Sequence, residues 1–510
     1  MATSRRRFDS WEIAFASIVF AAGLAVRLRL AYLHYLNPDE VEAVQFALGT
    51  WRQTLDQSLW LTHPPLLVLL THVACQFSRA EIVLRLVPVL AGSLFPLLLF
   101  LWLRRLAGTV AGLAALLLLT LSPYAIALSV EVRPYTLALF FVAASLLVLE
   151  GGLESGRWQS MAFYSILLWL AILSDYSAAW FVGAAGVYVL LRLRPLPTAA
   201  REVWIAGQFL ALVLYGALFA VQISRFSSDS FVAQDALGGW LRNEFPQAGQ
   251  MLSFPLTHTL GQFEFLLASA PLGWLGAGLF AAAIFLLWTG RTSLERSRAR
   301  PLALLLVLPF LLGIAGAYAH KFPYGATRHT ILLGLFGAVG MAICCGSLPG
   351  RIALPAVWGM LLLAPLWSLV DVKEDIPPDR HQKWQLVQCL DYMRTAIPPG
   401  SLIFTERETL NVLAYYLGHD QRLPEPGARQ YFSENLLAAT WRVATRDYFY
   451  GTREDYLAAL AVFRQQYGLT AADPVWVLDG GWSAVATPPD PQRPFTRAVR
   501  VFQAGEPGQP

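Results

Sequence analysis

The chain has 510 residues, of which 56% are hydrophobic and only 14% are charged, and its net charge is +4. Soluble domains carry roughly a quarter charged residues, so this composition and a mean hydropathy of +0.49 exclude an ordinary soluble protein and indicate repeated membrane crossings. No basic patch interleaved with aromatic residues points to nucleic acid. The four cysteines show neither a disulfide framework nor metal-ligand spacing.

The N-terminal segment resembles a signal peptide, because Arg5, Arg6 and Arg7 precede an apolar run that begins at Trp11. No small-x-small pattern in it makes a convincing cleavage site, and many further apolar runs follow it. We therefore predict an uncleaved first membrane span.

Apolar stretches long enough to cross a bilayer recur along the chain, each needing about 20 mainly apolar residues. They lie near residues 11–33, 83–103, 107–128, 134–150, 160–177, 178–194, 203–223, 265–289, 301–319, 328–348 and 352–370. The sequence therefore predicts a polytopic α-helical membrane protein with about 11 transmembrane helices.

The charges between these spans orient the chain. One set of connections is rich in arginine, and it contains Arg5 to Arg7, Arg104, Arg105, Arg157, Arg192, Arg194, Arg201, the "RTSLERSRAR" loop and Arg351. The alternate set carries most of the acids, namely Asp39, Glu40, Glu42, Asp56, Glu81, Glu131, Asp229, Asp235 and Glu244. The positive-inside rule makes the basic set and the N-terminus cytoplasmic. An odd number of spans then places the C-terminal part outside.

The composition changes near Asp371, because residues 371–510 contain no spanning run and are richer in acids, Pro and Gly. "QKWQLVQCLDYMRTAI" and "TREDYLAALAVFRQQYG" predict helices, while "PPGSLIFTE" and "DPVWVLDGG" predict turns with short strands. We predict a transmembrane domain over residues 1–370, with a first outer loop at about 34–82. Residues 371–510 are predicted to form a small extracytoplasmic α/β domain. "VLDGGW" lacks the glycine spacing of a phosphate-binding loop.

Further stretches fall on the predicted outer side. "LTHPPLLVLL" (61–70) is too short to span and contains Pro64 and Pro65, which predicts a helix lying at the interface. "SVEVRPYTLALFF" (129–141) and "HKFPYGATRH" (320–329) are turns between spans. The loop 224–256 is longer, and it fits either a lid over a site or an ordinary connection.

Three carboxylates, Asp39, Glu40 and Glu42, crowd the segment that follows the first span. They could simply be solvated, or Asp39 could cap the following helix, with Glu42 three residues on. Alternatively, the amphipathic stretch "VEAVQFALG" fixes the acids beside the membrane as part of a site.

The order "AVRLRLAYL", "PDEVEAVQFAL", "THPPLLVLLTH" and "SVEVRPYTLALFF" over about residues 20–140 resembles the GT-C glycosyltransferases of family 39. This bacterial group includes protein O-mannosyltransferases, aminoarabinose transferases and Rgt-like galacturonosyltransferases. The resemblance implies a transferase that moves a sugar from a polyprenyl-phosphate donor to an acceptor hydroxyl at the outer face of the bacterial inner membrane. The acceptor would be a glycolipid, a polysaccharide or a protein.

The resemblance also implies roles for particular residues. Asp39 would be the general base for the acceptor hydroxyl, and Glu40 would help to position the acceptor. The His-Pro-Pro motif falls on His63, and the Glu-x-Arg-x-Tyr motif falls on Glu131, Arg133 and Tyr135. Glu131 and Arg133 could instead only brace one another at a helix turn.

The leaving lipid phosphate requires positive charge at the outer interface. Lys321, Tyr324, Arg328 and His329 are candidates to hold it, with Arg suited to bidentate contact. The alternative is that Lys321 and Arg328 extend to lipid headgroups. "DEVE" has no Asp-x-Asp pair, and His63 and His72 show no third ligand. We therefore predict metal-independent transfer without a cofactor, although a divalent metal is possible; the resemblance implies an inverting mechanism.

Two other functions remain open from the sequence. A transporter or flippase of lipid-linked sugars would carry charges near the bilayer midplane and, as in many transporter folds, internal repeats. Asp175 is one candidate for such a charge. A non-catalytic subunit of envelope assembly would keep the fold and lose the base, whereas this chain retains Asp39.

Overall fold

The structure, a computed structural model, describes residues 9–226, 241–292, 294–348, 355, 359, 383–418, 420–422, 432–446, 450, 452–470, 473, 475–480 and 500–504. The chain forms two units. Met1–Ala31 with Phe46–Ile376 form the first, here called the membrane unit, and Tyr32–Gln45 with Pro377–Pro510 form the second, called the C-terminal unit. The division into domains 1–370 and 371–510 stays a prediction. No pattern in the sequence indicates that Tyr32–Gln45 groups with the C-terminal unit.

Helices dominate the chain up to Ser347. In chain order they are α1 (Ser10–Leu33), α2 (Pro38–Ala47), α3 (Trp51–Ser58), α4 (Leu66–Phe77), α5 (Glu81–Leu84), α6 (Leu86–Ala107), α7 (Thr109–Leu121), α8 (Pro123–Ser129), α9 (Tyr135–Ser155), α10 (Trp158–Ser174), α11 (Ala178–Leu190), α12 (Thr198–Val221), α13 (Phe254–Leu267), α14 (Ala270–Thr289), α15 (Arg296–Tyr318) and α16 (Ile331–Ser347). Short 3₁₀ turns cover Ile223–Phe226, Arg242–Glu244 and Arg328–Thr330.

Within the described part of the chain, seven helical segments are long and apolar enough to cross a membrane. They are α1, α6, α9, α12, α14, α15 and α16, with α12 extended to Arg225 through the 3₁₀ turn that follows it and α16 taken with the 3₁₀ turn that precedes it. The pair α7 and α8, bent by 60°, makes eight if it counts as one broken span. The chain is therefore an integral, polytopic helical membrane protein, as predicted.

The sequence predicted about 11 spans, and two of those predicted spans correspond to helices that are too short to cross a membrane. α10 and α11 have 17 and 13 residues, shorter than the roughly 20 residues that cross the hydrocarbon layer at about 1.5 Å per residue. The predicted division near Asp175 is confirmed, because α10 ends at Ser174 and α11 begins at Ala178. The predicted span at 352–370, apart from residues 355 and 359, and residues 227–240 of the loop 224–256 lie outside the described residues. α13 is an apolar helix that we did not predict.

α16 forms the centre of the membrane unit, with every residue from Ile331 to Cys345 buried. A helix that is apolar all round is expected to be enclosed by others. Gly340 permits close packing there, since a Cβ at this position would overlap the Phe280 ring. By contrast, α12 exposes large apolar side chains such as Phe209 and Leu212. That surface suits contact with lipid.

Charged side chains inside the membrane unit form short pairs near the arginine-rich connections. Glu12 of α1 accepts from Arg104 at 2.7 Å and from the Thr109 hydroxyl at 2.6 Å. Glu150 of α9 accepts from Arg192 and from the Tyr188 hydroxyl, each at 2.7 Å. Direct hydrogen bonds of this kind satisfy buried carboxylates.

The C-terminal unit contains a six-stranded sheet of order β2-β3-β4-β1-β5-β6. Its strands are β1 (Leu402–Phe404), β2 (Asp420–Arg422), β3 (Ser433–Leu437), β4 (Trp441–Thr445), β5 (Val475–Asp479) and β6 (Arg500–Ala504). β1 lies parallel to both β4 and β5, and the other pairs are antiparallel. Three helices accompany the sheet, α17 (Lys383–Ala396), α18 (Arg407–Leu417) and α19 (Arg453–Gln466).

The predicted α/β character of this unit is confirmed. β1 and β5 coincide with the two predicted strands, and α19 coincides with the predicted amphipathic helix. The Thr452 side chain accepts from the Asp455 N–H at the start of α19, and Gly468 follows its end with φ +66°. Phe404, Phe463 and Val477 lie in the core between the helices and the sheet.

Candidate active site

The acidic segment after α1 is organised by a reciprocal cap. The Asn37 N–H donates to Glu40 Oε2 and the Glu40 N–H donates to Asn37 Oδ1, each at 2.9 Å. Asn37 is thus the cap, Pro38 takes the first helical position and Glu40 the third, an arrangement in which Pro fits well. The predicted cap by Asp39 is wrong, because Asn37 stands one position before the proline and fills that role.

Asp39 and Glu40 therefore have different surroundings within the same unit. Glu40 is 1% exposed and its carboxylate is engaged at the end of its own helix, whereas Asp39 is half-buried at the second helical position. The residues just before them pack on α18. The Leu36 N–H donates to the Tyr416 hydroxyl at 2.8 Å, and the Tyr35 and Tyr416 rings meet edge to face.

In the membrane unit, five polar side chains meet in what we call the His63 cluster, made of His63, Arg133, Tyr135, Asp175 and His329. The His63 ring lies 5.6 Å from the Tyr135 ring, edge on, and 6.3 Å from the His329 ring, stacked. The Tyr135 and His329 rings are 6.0 Å apart. The Arg133 guanidinium lies 5.8 Å from the Tyr135 ring centre, and His63 Nδ1 lies 3.7 Å from Asp175 Oδ2.

Each member of the cluster comes from the end of a helix. His63 precedes α4, which begins at Leu66 after the Pro pair and runs to Phe77. The prediction of one helix over 61–70 is thus wrong in its bounds, because Pro64 and Pro65 start the helix and do not interrupt it. Arg133 and Tyr135 lie at the start of α9, Asp175 joins α10 to α11, and His329 precedes α16. Connections of this kind position side chains on a rigid helical frame.

Four predicted site residues are therefore brought together, namely His63, Arg133, Tyr135 and His329. Arg328 lies beside His329 in the same 3₁₀ turn, and Glu131 lies beside Arg133, whose N–H donates to the Glu131 carbonyl at 2.7 Å. The substrate roles of these residues stay predictions. The sequence indicates Asp175 only as a candidate charge near the bilayer midplane, although a carboxylate between two apolar helices is itself a signal of function.

Two members of the predicted phosphate group have other surroundings. Tyr324 is buried, its hydroxyl lies 2.5 Å from Thr259 Oγ1, and burial raises its pKa to about 12. Lys321 is exposed. We grouped these residues with His329 because they are close to it in the sequence. The side chains of a ten-residue turn can nevertheless point in different directions.

The His63 cluster carries several hydrogen-bond donors and a permanent positive charge. Arg133 is 7% exposed and Asp175 is 5% exposed. Burial raises the pKa of Asp175, while the Ser177 N–H, which donates to Oδ1 at 2.8 Å, and the charge of Arg133 lower it. Imidazole, guanidinium and phenol groups together suit an anionic ligand such as a phosphate.

The described residues include no group of three or more His, Cys, Asp or Glu side chains that could hold a metal ion. Metal-independent chemistry stays a prediction.

Comparison with known proteins relates this geometry to a family. Residues 62–219 match the model of the dolichyl-phosphate-mannose-protein mannosyltransferase family. The range contains His63, Arg133, Tyr135 and Asp175. The resemblance predicted from the motifs is thereby confirmed for this part of the chain. No curated protein sequence matches the chain.

Two solved structures are similar to this chain. ArnT from Cupriavidus metallidurans bound to undecaprenyl phosphate matches with a TM-score of 0.50 and 15% identity, over 92% of this chain and 93% of that one. An Archaeoglobus fulgidus oligosaccharyltransferase in complex with Zn and sulfate matches with a TM-score of 0.41 and 13% identity, over 78% of this chain. The chain spans 60% of the length of that archaeal protein. The likeness to ArnT shows that the fold is of the GT-C type.

Proposed function

We propose, from the family resemblance confirmed over residues 62–219, that this chain is a membrane glycosyltransferase. It transfers a sugar from a polyprenyl-phosphate donor to an acceptor hydroxyl at the outer face of the bacterial inner membrane. The observation that carries this proposal is the His63 cluster, in which two imidazoles, a guanidinium and a phenol meet at the ends of membrane helices.

The cluster suits the leaving group of such a reaction. When the bond between the sugar and the phosphate breaks, negative charge grows on the phosphate oxygen that leaves, and fixed donors stabilise that charge best. Arg133 supplies a permanent charge, and His63, His329 and Tyr135 supply N–H and O–H donors. A protein of the same fold, ArnT, was solved with undecaprenyl phosphate, which supports a lipid phosphate as the carrier.

Asp39 is the proposed general base. In the inverting reaction the acceptor oxygen forms a bond to the anomeric carbon, its proton passes to the Asp39 carboxylate, and the electron pair of the broken bond stays on the phosphate. Asp39 suits this role better than Glu40, because Glu40 is engaged in the cap of α2. A positioned base contributes about 10²- to 10⁴-fold in rate.

The proposed orientation places the N-terminus in the cytoplasm and the C-terminal unit outside. The alternation of arginine-rich and acid-rich connections supports it. In this orientation the cluster residues lie in connections on the outer side, where a flipped lipid-linked donor would be found.

Mass spectrometry of the cell envelope tests the proposal. Glycolipids, polysaccharides and glycoproteins are compared between cells that have the protein and cells that lack it. We expect one sugar modification to disappear and to return when the wild-type chain is restored. An envelope in which no glycoconjugate changes would contradict the proposal.

A further inference from the structure

The contacts of Asp175 within the His63 cluster indicate that it does more than stabilise the fold. Its Oδ1 accepts from the Ser177 N–H at 2.8 Å, which fixes the carboxylate within its own turn. Its Oδ2 lies 3.7 Å from His63 Nδ1. That separation exceeds hydrogen-bond length, so the two groups attract mainly through charge when the imidazole is protonated.

The same turn also holds the backbone of His63. The Tyr176 hydroxyl donates to Gln222 Oε1 at 2.6 Å, and Gln222 Nε2 donates to the carbonyls of Leu61 and His63 at 2.6 and 2.7 Å. Gln222 is fully buried. The turn at residues 175–177 therefore acts on His63 by two routes, through the ring and through the main chain.

Other charged and aromatic side chains surround the Asp175–His63 pair. Arg133 acts on Asp175 electrostatically, and the rings of Tyr135 and His329 lie against His63. Asp175 is thus an acid that faces both His63 and a fixed positive charge. Nδ1 is directed at Asp175, and Nε2 lies on the opposite side of the imidazole ring.

The Asp175–His63 pair differs from the buried ion pair of Glu150, which is held by direct hydrogen bonds. Glu150 is bound directly by Arg192 and Tyr188, each at 2.7 Å. The Asp175–His63 separation is about 1 Å longer, so no direct hydrogen bond fixes these two side chains to each other.

We propose that Asp175 is a positioning residue that orients His63 and favours its protonated form, so that Nε2–H donates to a phosphate oxygen of the lipid-linked donor. This inference rests on the proposed function for the identity of the ligand. The interaction between Asp175 and His63 can be tested without that ligand.

The first test measures the protonation of His63 directly. The full chain, labelled with ¹³C and ¹⁵N at histidine and reconstituted in nanodiscs, is titrated by NMR, with His63→Gln identifying the signal. Asp175→Asn keeps the Oδ1 acceptor for Ser177 and removes the charge. We expect His63 to lose its proton at a pH lower by roughly one unit in this variant, because an opposite charge within about 4–6 Å favours the charged form. An unchanged titration would overturn the proposal.

The second test uses undecaprenyl phosphate without a sugar as the probe. In nanodiscs near pH 7, we expect Asp175→Asn to bind it roughly tenfold more weakly, which is the consequence of a one-unit change in protonation. Asp175→Glu, which keeps the charge, should recover part of the affinity and serves if the Asn variant does not fold. Equal affinity of the wild type and both variants would contradict the role of Asp175.

A matched control separates positioning from stability. Glu150→Gln weakens another buried carboxylate pair, so it should lower the melting temperature while leaving the His63 titration and the affinity for undecaprenyl phosphate unchanged. If the wild type itself does not bind the probe, the proposed function fails. The NMR titration still decides whether Asp175 controls His63.

Discussion

Asn37 and Glu40 cap the start of α2 for one another through two hydrogen bonds of 2.9 Å. Asp39, which lies between them in sequence, takes no part in this exchange. The two acids of the Asp-Glu pair are therefore expected to differ, with Glu40 supporting the helix and Asp39 supporting the chemistry.

Removal of the cap should cost stability more than chemistry. Glu40→Ala deletes the acceptor for the Asn37 N–H, and loss of an N-cap interaction costs about 0.5–2 kcal/mol. We expect faster amide hydrogen exchange in α2 by mass spectrometry. Glu40→Gln, which can keep both bonds, is the matched control and should exchange like the wild type. Unchanged exchange in Glu40→Ala would show that the cap contributes nothing.

The basic turn before α16 gives a second prediction. If Arg328 and Lys321 hold the donor phosphate, Arg328→Gln and Lys321→Gln should raise the KM for the donor with little change in melting temperature. Arg291→Gln is the control, because Arg291 is exposed like Lys321 but lies in a connection predicted to be cytoplasmic. Donor affinities and rates equal to those of the wild type would remove both residues from the site and favour contact with lipid headgroups.

Glu406 predicts a pH dependence of the C-terminal unit. It is 3% exposed, and burial, together with the charge of Asp479, raises its pKa to about 8. The Thr405 hydroxyl donates its single proton to the Leu478 carbonyl at 2.7 Å. The same hydroxyl lies 3.3 Å from Glu406 Oε2. When the Glu406 carboxyl is protonated, it can donate its own proton to the hydroxyl oxygen.

The sign of the effect follows from the raised pKa. The folded unit holds the proton more tightly than the unfolded chain, so the stabilisation is fully present below about pH 4.5 and is lost as the pH rises through about 8. We expect amide exchange in β1 and β5 of the full chain to accelerate between about pH 4.5 and 8, after correction for the intrinsic exchange rate. Glu406→Gln should flatten this dependence. The same slope in both proteins would show that Glu406 does not control it.

Orientation is tested with reporters that are active only outside the cytoplasm. Fused after Ser368 or at Pro510, such a reporter should be active, and within residues 291–300 it should be silent. The arginine-rich connections on the cytoplasmic side are the physical reason. The opposite pattern would place every proposed site residue on the wrong face.

The sequence predicted the long helices well because their apolar runs alone identify them, as with α6 and α9. It also predicted the break at Asp175. It did not predict that Asp175 would face His63, since 112 residues separate them and their contact depends on how α10 and α11 pack. Gln222 carries no recognisable motif, and its role appears only where it meets the backbone of His63. The sequence did not identify Asn37 as the cap, because Asp39 with Glu42 three residues on fits the same capping pattern.

The most direct test of the account follows the donor itself. Lipid-linked sugars extracted from the source cells are given to the purified full chain in nanodiscs with envelope acceptors, and release of polyprenyl phosphate is measured beside the new glycoconjugate. We predict equal amounts of both products, an inverted anomeric centre, and a loss of about 10²- to 10⁴-fold in Asp39→Asn but not in Glu42→Gln. Donor that crosses the bilayer intact, or transfer that persists at the normal rate in Asp39→Asn, would contradict it.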